Sequence, residues 1–103
     1  MRTFLTVAET AFVLQEPEMK IRRRIDRDEL RLVADSTDHA GRRKLKIDPE
    51  SVRARFRKDG AYELRRLVMQ RILAGRLKVP APSTRWGEPT PLAEICELSL
   101  VHS

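Results

Sequence analysis

Apolar residues recur at two periods along this chain, and the switches between them divide it into short elements. Thr6-Val7-Ala8-Glu9 has the pattern of a capping box, in which Thr6 accepts from the Glu9 amide and Glu9 reaches back to Thr6. A helix is therefore expected from Thr6, with Leu5, Ala8, Ala11 and Phe12 on its apolar side. It should stop near Gln15-Glu16-Pro17, because proline restricts the residue before it and suits the first turn of a new helix. A second helix is predicted over residues 18–28. Ile21 and Ile25 share one face of it, continued by Leu30, while Lys20, Arg23, Arg24 and Arg27 follow the i, i+3, i+4, i+7 spacing on the opposite face. One side packs and the other presents cations.

The period then changes from helical to alternating. Leu30-Arg31-Leu32 and Lys44-Leu45-Lys46-Ile47 predict two short strands with one buried face, joined by a polar loop over residues 35–43. Asp48-Pro49-Glu50 then supplies an N-cap, a first-turn proline and an acid suited to a helix start. Val52 and Phe56 give this third helix its core stripe, and Asp59-Gly60 should end it. A fourth helix is expected over residues 62–73, with Leu64, Leu67, Val68 and Ile72 as its stripe and Gly75 as its cap. That stripe is too short for a sustained coiled coil, so packing within the chain is favoured over a dimer seam. Leu77-Lys78-Val79 predicts a short strand. Pro80, Pro82, Pro89 and Pro91 then mark an extended arm before a last short apolar helix through Leu100.

Composition narrows the function classes. The 103 residues carry 21 Lys+Arg against 15 Asp+Glu, a formal net charge of +6, which favours a polyanionic partner. No apolar run approaches the roughly 20 residues of a membrane span, and no signal peptide is visible, so a cytoplasmic, nucleoid-associated protein is expected. Cys96 is the single cysteine and excludes an intramolecular disulfide. The charge is uneven: residues 61–85 hold six basic side chains and only Glu63, whereas residues 86–103 hold Glu88, Glu94 and Glu97 with no Lys or Arg. His39 and His102 lack partners at metal-ligand spacing, Ser36-Thr37-Asp38-His39 lacks the spatial relay of a hydrolytic triad, and the four glycines form no phosphate loop. Neither an enzyme nor a cofactor is expected.

A mostly α chain with a basic-tipped two-stranded hairpin follows the winged helix-turn-helix order. Phe4-Leu5-Thr6-Val7-Ala8-Glu9-Thr10-Ala11, Ile21-Arg22-Arg23-Arg24-Ile25 with Asp28-Glu29-Leu30, and Arg42 through Val52 also resemble, in order, the motifs of excisionase and MerR-like DNA-binding domains. The resemblance covers about residues 4–58. It implies a second helix in the major groove and a wing on the backbone or minor groove. Lys20, Arg23, Arg24 and Arg27 would then serve the groove, and Arg42 and Arg43 the wing; Arg22, Lys44 and Lys46 complete the candidate DNA contacts. Two positions depart from the family pattern: the turn is Gln15-Glu16-Pro17-Glu18, and Asp28 stands where glycine is common.

The expected organisation is thus a DNA-binding domain over residues 1–60, a helix and short strand over 61–79, and a proline-rich arm with an acidic helix over 80–103. In that last part Trp86, Leu92, Ile95 and Leu98 are the candidate partner contacts. The first functional expectation is an excisionase, a recombination directionality factor of a phage or mobile element. It would bind and bend duplex DNA cooperatively or as a homodimer, and meet a recombinase or integrase through its tail. The alternatives are a small MerR-like transcriptional regulator or antitoxin-like autorepressor, and a protein-interaction module using the basic face.

Overall fold

Thr6 caps the first helix, α1 (Val7–Leu14), with the reciprocal Thr6–Glu9 hydrogen bonds of the predicted capping box. The computed structural model describes residues 2–41, 43–58 and 60–79. Within them the order is α1, α2 (Glu18–Asp26), β1 (Leu32–Thr37), β2 (Arg43–Ile47), α3 (Pro49–Arg53) and α4 (Tyr62–Leu73). The described part is therefore a small domain of four helices and one two-stranded antiparallel sheet. None of these helices is long and apolar enough to cross a membrane. Trp86, Leu92, Ile95, Leu98 and Arg42 lie outside the described residues, as do the expected arm and terminal helix.

The chain turns sharply after three of the helices by one device. After α1, Gln15 takes a left-handed conformation (φ 56°), and the Glu16 N–H closes on the Ala11 carbonyl at 3.0 Å. After α2, Asp28 does the same (φ 59°), with the Glu29 N–H on the Arg24 carbonyl at 2.8 Å. Gly75 (φ 73°) follows α4, with the Arg76 N–H on the Arg71 carbonyl at 2.9 Å. These are Schellman endings, which usually place glycine at the left-handed residue. Only the third does. An L-residue there costs about 1–2 kcal/mol, somewhat less for aspartate. Asp28→Gly is accordingly expected to raise stability by about 0.5–1 kcal/mol in urea unfolding; a less stable variant would refute this account of the turn.

The sheet starts later and reaches further than alternation suggested. Leu30 is a buried connector, not a strand residue, while Asp35, Ser36 and Thr37 belong to β1. The register runs Leu32↔Ile47, then Ala34↔Lys46, Asp35↔Leu45, Ser36↔Lys44 and Thr37↔Arg43, with an irregularity at Val33. Val33 is exposed there, between the half-buried Leu32 and Ala34. Gly41 (φ 78°) closes the turn by donating to the Asp38 carbonyl. Leu5 adds an isolated bridge on the free edge of β2, exchanging hydrogen bonds of 2.9 and 2.8 Å with Ile47.

A single hydrophobic cluster unites these elements. From α1 it takes Val7, Ala11, Phe12 and Val13, whereas Ala8, expected inside, is exposed. Ile21 and Ile25 enter from α2, Leu45 and Ile47 from β2, and Val52 and Phe56 from the α3 region. The α3 helix ends at Arg53, earlier than Asp59-Gly60 suggested, and the following turn still delivers Phe56 to the edge of Tyr62 at 6.0 Å. From α4 come Val68, Met69 and Ile72; Leu64 is partly buried, and Leu67 is 41% exposed. The buried stripe thus takes Met69 instead of Leu67. Leu77 is buried and Val79 packs on the cluster, but no strand forms there. The N-terminal segment is also tied to the far end of the chain's last described helix: the Arg2 N–H donates to the Leu73 carbonyl and its guanidinium to the Ile72 carbonyl.

Candidate nucleic-acid interface

Burial of Ile21 and Ile25 fixes the rotation of α2 and turns its other side to solvent. Pro17 starts the helix from an extended conformation, with no side-chain cap. Along the exposed side runs an open groove of about 560 Å³, lined by Pro17, Met19, Lys20, Arg23, Arg24, Arg27 and Glu29. The four cations predicted for one face are therefore brought together. They do not do the same thing.

Arg24 is committed to the protein. Its Nε and Nη2 donate to the two carboxylate oxygens of Glu16, both at 2.7 Å, and its Nη1 donates to Glu29 at 2.8 Å. A planar guanidinium gripping a carboxylate with two parallel bonds is the strongest form of this contact. It ties the α1–α2 turn to the segment leaving α2. Arg55 extends the network, with its Nε on the Glu29 carbonyl at 3.1 Å and Nη1 3.7 Å from the Glu29 carboxylate. Lys20 lies 3.3 Å from Glu16 but keeps its side chain about half exposed. The i, i+4 neighbours Glu18/Arg22 and Arg24/Asp28 do not form ion pairs among the described residues.

This network covers Glu16, the acid just before the start of α2. The hydrogen bond from Arg24, followed by the charges of Arg24 and Lys20, holds the Glu16 carboxyl below its ordinary value against the opposing effect of burial. Reciprocally, Glu16 holds Arg24 more firmly in its charged form. A depressed folded-state pKa contributes stability that is present above the ordinary carboxylate value and lost as pH falls through the folded one. Glu16→Gln should therefore be less stable than the parent at pH 7, and the gap should close as pH falls below 4.5. A gap that stays constant from pH 7 to pH 3 in urea unfolding would disprove this linkage.

Arg22, Arg23 and Arg27 are exposed and, among the described residues, have no ion pair. Arg23 Nη2 approaches Met19 Sδ at 3.7 Å. Arg22 sits on the helix flank, one turn from both Glu18 and Asp26, whereas Arg23 and Arg27 share the groove. Met19, which periodicity did not single out, is 61% exposed in the middle of this basic face. Its signal was in the sequence: it is an apolar residue off the Ile21/Ile25 stripe, next to a lysine.

On the hairpin, Lys44 is exposed opposite Ser36, and Arg43 pairs with Thr37 at the turn end of β2. Lys46 is placed differently. Its ammonium lies 4.8 Å from the centre of the Phe4 ring, which Arg2 also approaches at 5.6 Å. Such cation–π contacts contribute about 0.5–1 kcal/mol at exposed sites, so Lys46 fastens the N-terminal segment to the sheet. His39 is exposed in the hairpin turn. Comparison with protein-family models, curated proteins and solved structures gives no match.

Proposed function

We propose that this chain is a sequence-specific duplex-DNA-binding protein of winged helix-turn-helix type, with α2 in the major groove and the β1–β2 hairpin on the backbone. One observation carries this reading. The exposed side of α2 presents Arg23 and Arg27 without carboxylate partners, beside Lys20 and Met19, while Glu16 and Glu29 are occupied by Arg24 and Arg55. A face whose acids are covered and whose arginines are open suits a polyanion. An arginine fork can take guanine O6 and N7, and an exposed apolar side chain such as Met19 can meet a thymine methyl. Lys44 and Arg22 act as positioning contacts to phosphates. Arg24 holds the helix and Lys46 holds Phe4, so neither needs to touch DNA.

Among DNA-binding roles, the resemblance to excisionases supports a recombination directionality factor. Such a protein performs no chemistry. It bends its site, at a cost of a few kcal/mol that side-by-side binding offsets. Footprinting on flanking genomic DNA tests the reading. An excisionase protects direct repeats near an attachment site and bends them, whereas a regulator protects an inverted repeat at its own promoter. Equal affinity for specific and random duplex at physiological salt would overturn DNA recognition and leave a protein-interaction module.

A further inference from the structure

A second basic groove, of about 820 Å³, lies between α3 and the C-terminal half of α4. Arg53, Gln70, Arg71 and Arg76 line it around Leu67, and among the described residues Glu50 is its one carboxylate. Glu50 is 74% exposed at its side chain and stands 3.9 Å from Arg53, so it neutralises little. Among the described residues, Arg71 and Arg76 have no ion pair. The end of α4 brings them together: the left-handed Gly75 lets the Arg76 N–H close on the Arg71 carbonyl, folding the chain back beside the helix. The Nε atoms of Arg53 and Arg71 are buried with no hydrogen-bond partner among the described residues. Those arms are folded against the protein instead of trailing in water, so much of the entropy needed to position their charges is already lost.

The two basic grooves are not one surface. Between them is a hollow lined by Asp28, Glu29, Asp48 and Glu50 together with Arg31 and Arg55. It shares Glu29 with the α2 groove and Glu50 with the α3–α4 groove. Asp28 and Asp48, which are in no ion pair among the described residues, stand in this hollow and interrupt a continuous path for a phosphate backbone. We infer that the α3–α4 groove is a separate phosphate-binding site, and that its occupant is the backbone of a second stretch of duplex DNA. This rests on the DNA-binding reading above. It adds to it that one copy of the protein touches two stretches of duplex, which gives bending a lever.

The experiment uses the full chain, a random-sequence duplex of about 40 base pairs, and inorganic pyrophosphate as a small-molecule control. Amide NMR signals are followed while each is titrated, and duplex affinity is measured across salt concentrations. The comparison is with an Arg71→Gln/Arg76→Gln variant, in which glutamine keeps part of the aliphatic arm. The duplex is expected to shift signals over residues 70–76 as well as those of α2. The variant should bind about tenfold more weakly at low salt, with a salt slope shallower by about one to two, and an unchanged melting temperature. Shifts confined to α2 with an unchanged slope overturn the second site. Shifts over residues 70–76 with pyrophosphate but not duplex overturn DNA as its occupant. Shifts over residues 70–76 without any in α2 uphold this site and overturn the α2 interface instead.

Discussion

Arg24→Ala is expected to be the most destabilising exchange on the exposed side of α2, lowering stability by about 2–3 kcal/mol. The guanidinium is about one-fifth exposed and makes three hydrogen bonds to two carboxylates, each less than a third exposed. Its removal leaves Glu16 with Lys20 alone and Glu29 with only the longer contact to Arg55. For a domain of this size a loss of that order lowers Tm by roughly 10–20 °C. Arg24→Lys should rescue little, because an ammonium cannot reproduce the fork. A double-mutant cycle with Glu16→Ala isolates the pair, and a coupling energy near zero would show that the network is incidental. If Arg24 were instead a DNA contact, its alanine variant would melt normally and lose affinity.

The reverse pattern is expected of Arg23→Ala/Arg27→Ala. Both side chains are exposed and outside every ion pair of the described residues, so stability should change by less than about 0.5 kcal/mol. A bidentate arginine contact to guanine discriminates by about 1–3 kcal/mol, so the double variant should lose roughly 10²–10³-fold in affinity for its footprinted site. Binding to random duplex should fall less, with a salt slope reduced by about 0.9 for each phosphate that is no longer neutralised. Unchanged affinity at the specific site would remove α2 as the reading helix. Measured together, the Arg24 and Arg23/Arg27 variants separate holding the helix from using it, although helical spacing alone does not distinguish the three residues.

What the sequence made legible were features with local causes. The Thr6–Glu9 box, the proline after Glu16 and the Asp48-Pro49 start act over three or four residues, and each element begins where they stand. The Ile21/Ile25 stripe oriented α2 correctly for the same reason. Features set by distant residues were hidden. The Val33 bulge, which shifts β1, depends on register against β2. The choice of Met69 over Leu67 depends on what α4 meets, since both flank Val68 and are equally apolar. The Glu16–Arg24 contact spans eight residues across a turn whose left-handed Gln15 no glycine announces. Alternation puts Lys46 on the outer side of the second strand, but it gives a side and not a neighbour, and that neighbour is Phe4 from the N-terminal segment.

The bond from Arg2 to the Ile72 and Leu73 carbonyls has a consequence for the order of events during synthesis. The N-terminal segment leaves the ribosome first, but its partner is made some seventy residues later, as are Val68, Met69 and Ile72 of the core. Until α4 emerges, Phe12 and its neighbours lack the surface that covers them, and the loop that must close is nearly the whole described chain. A nascent chain therefore has α1 and α2 before it has the helix that closes the core over α1. The closed core arrives late and all at once, with the last turn of α4.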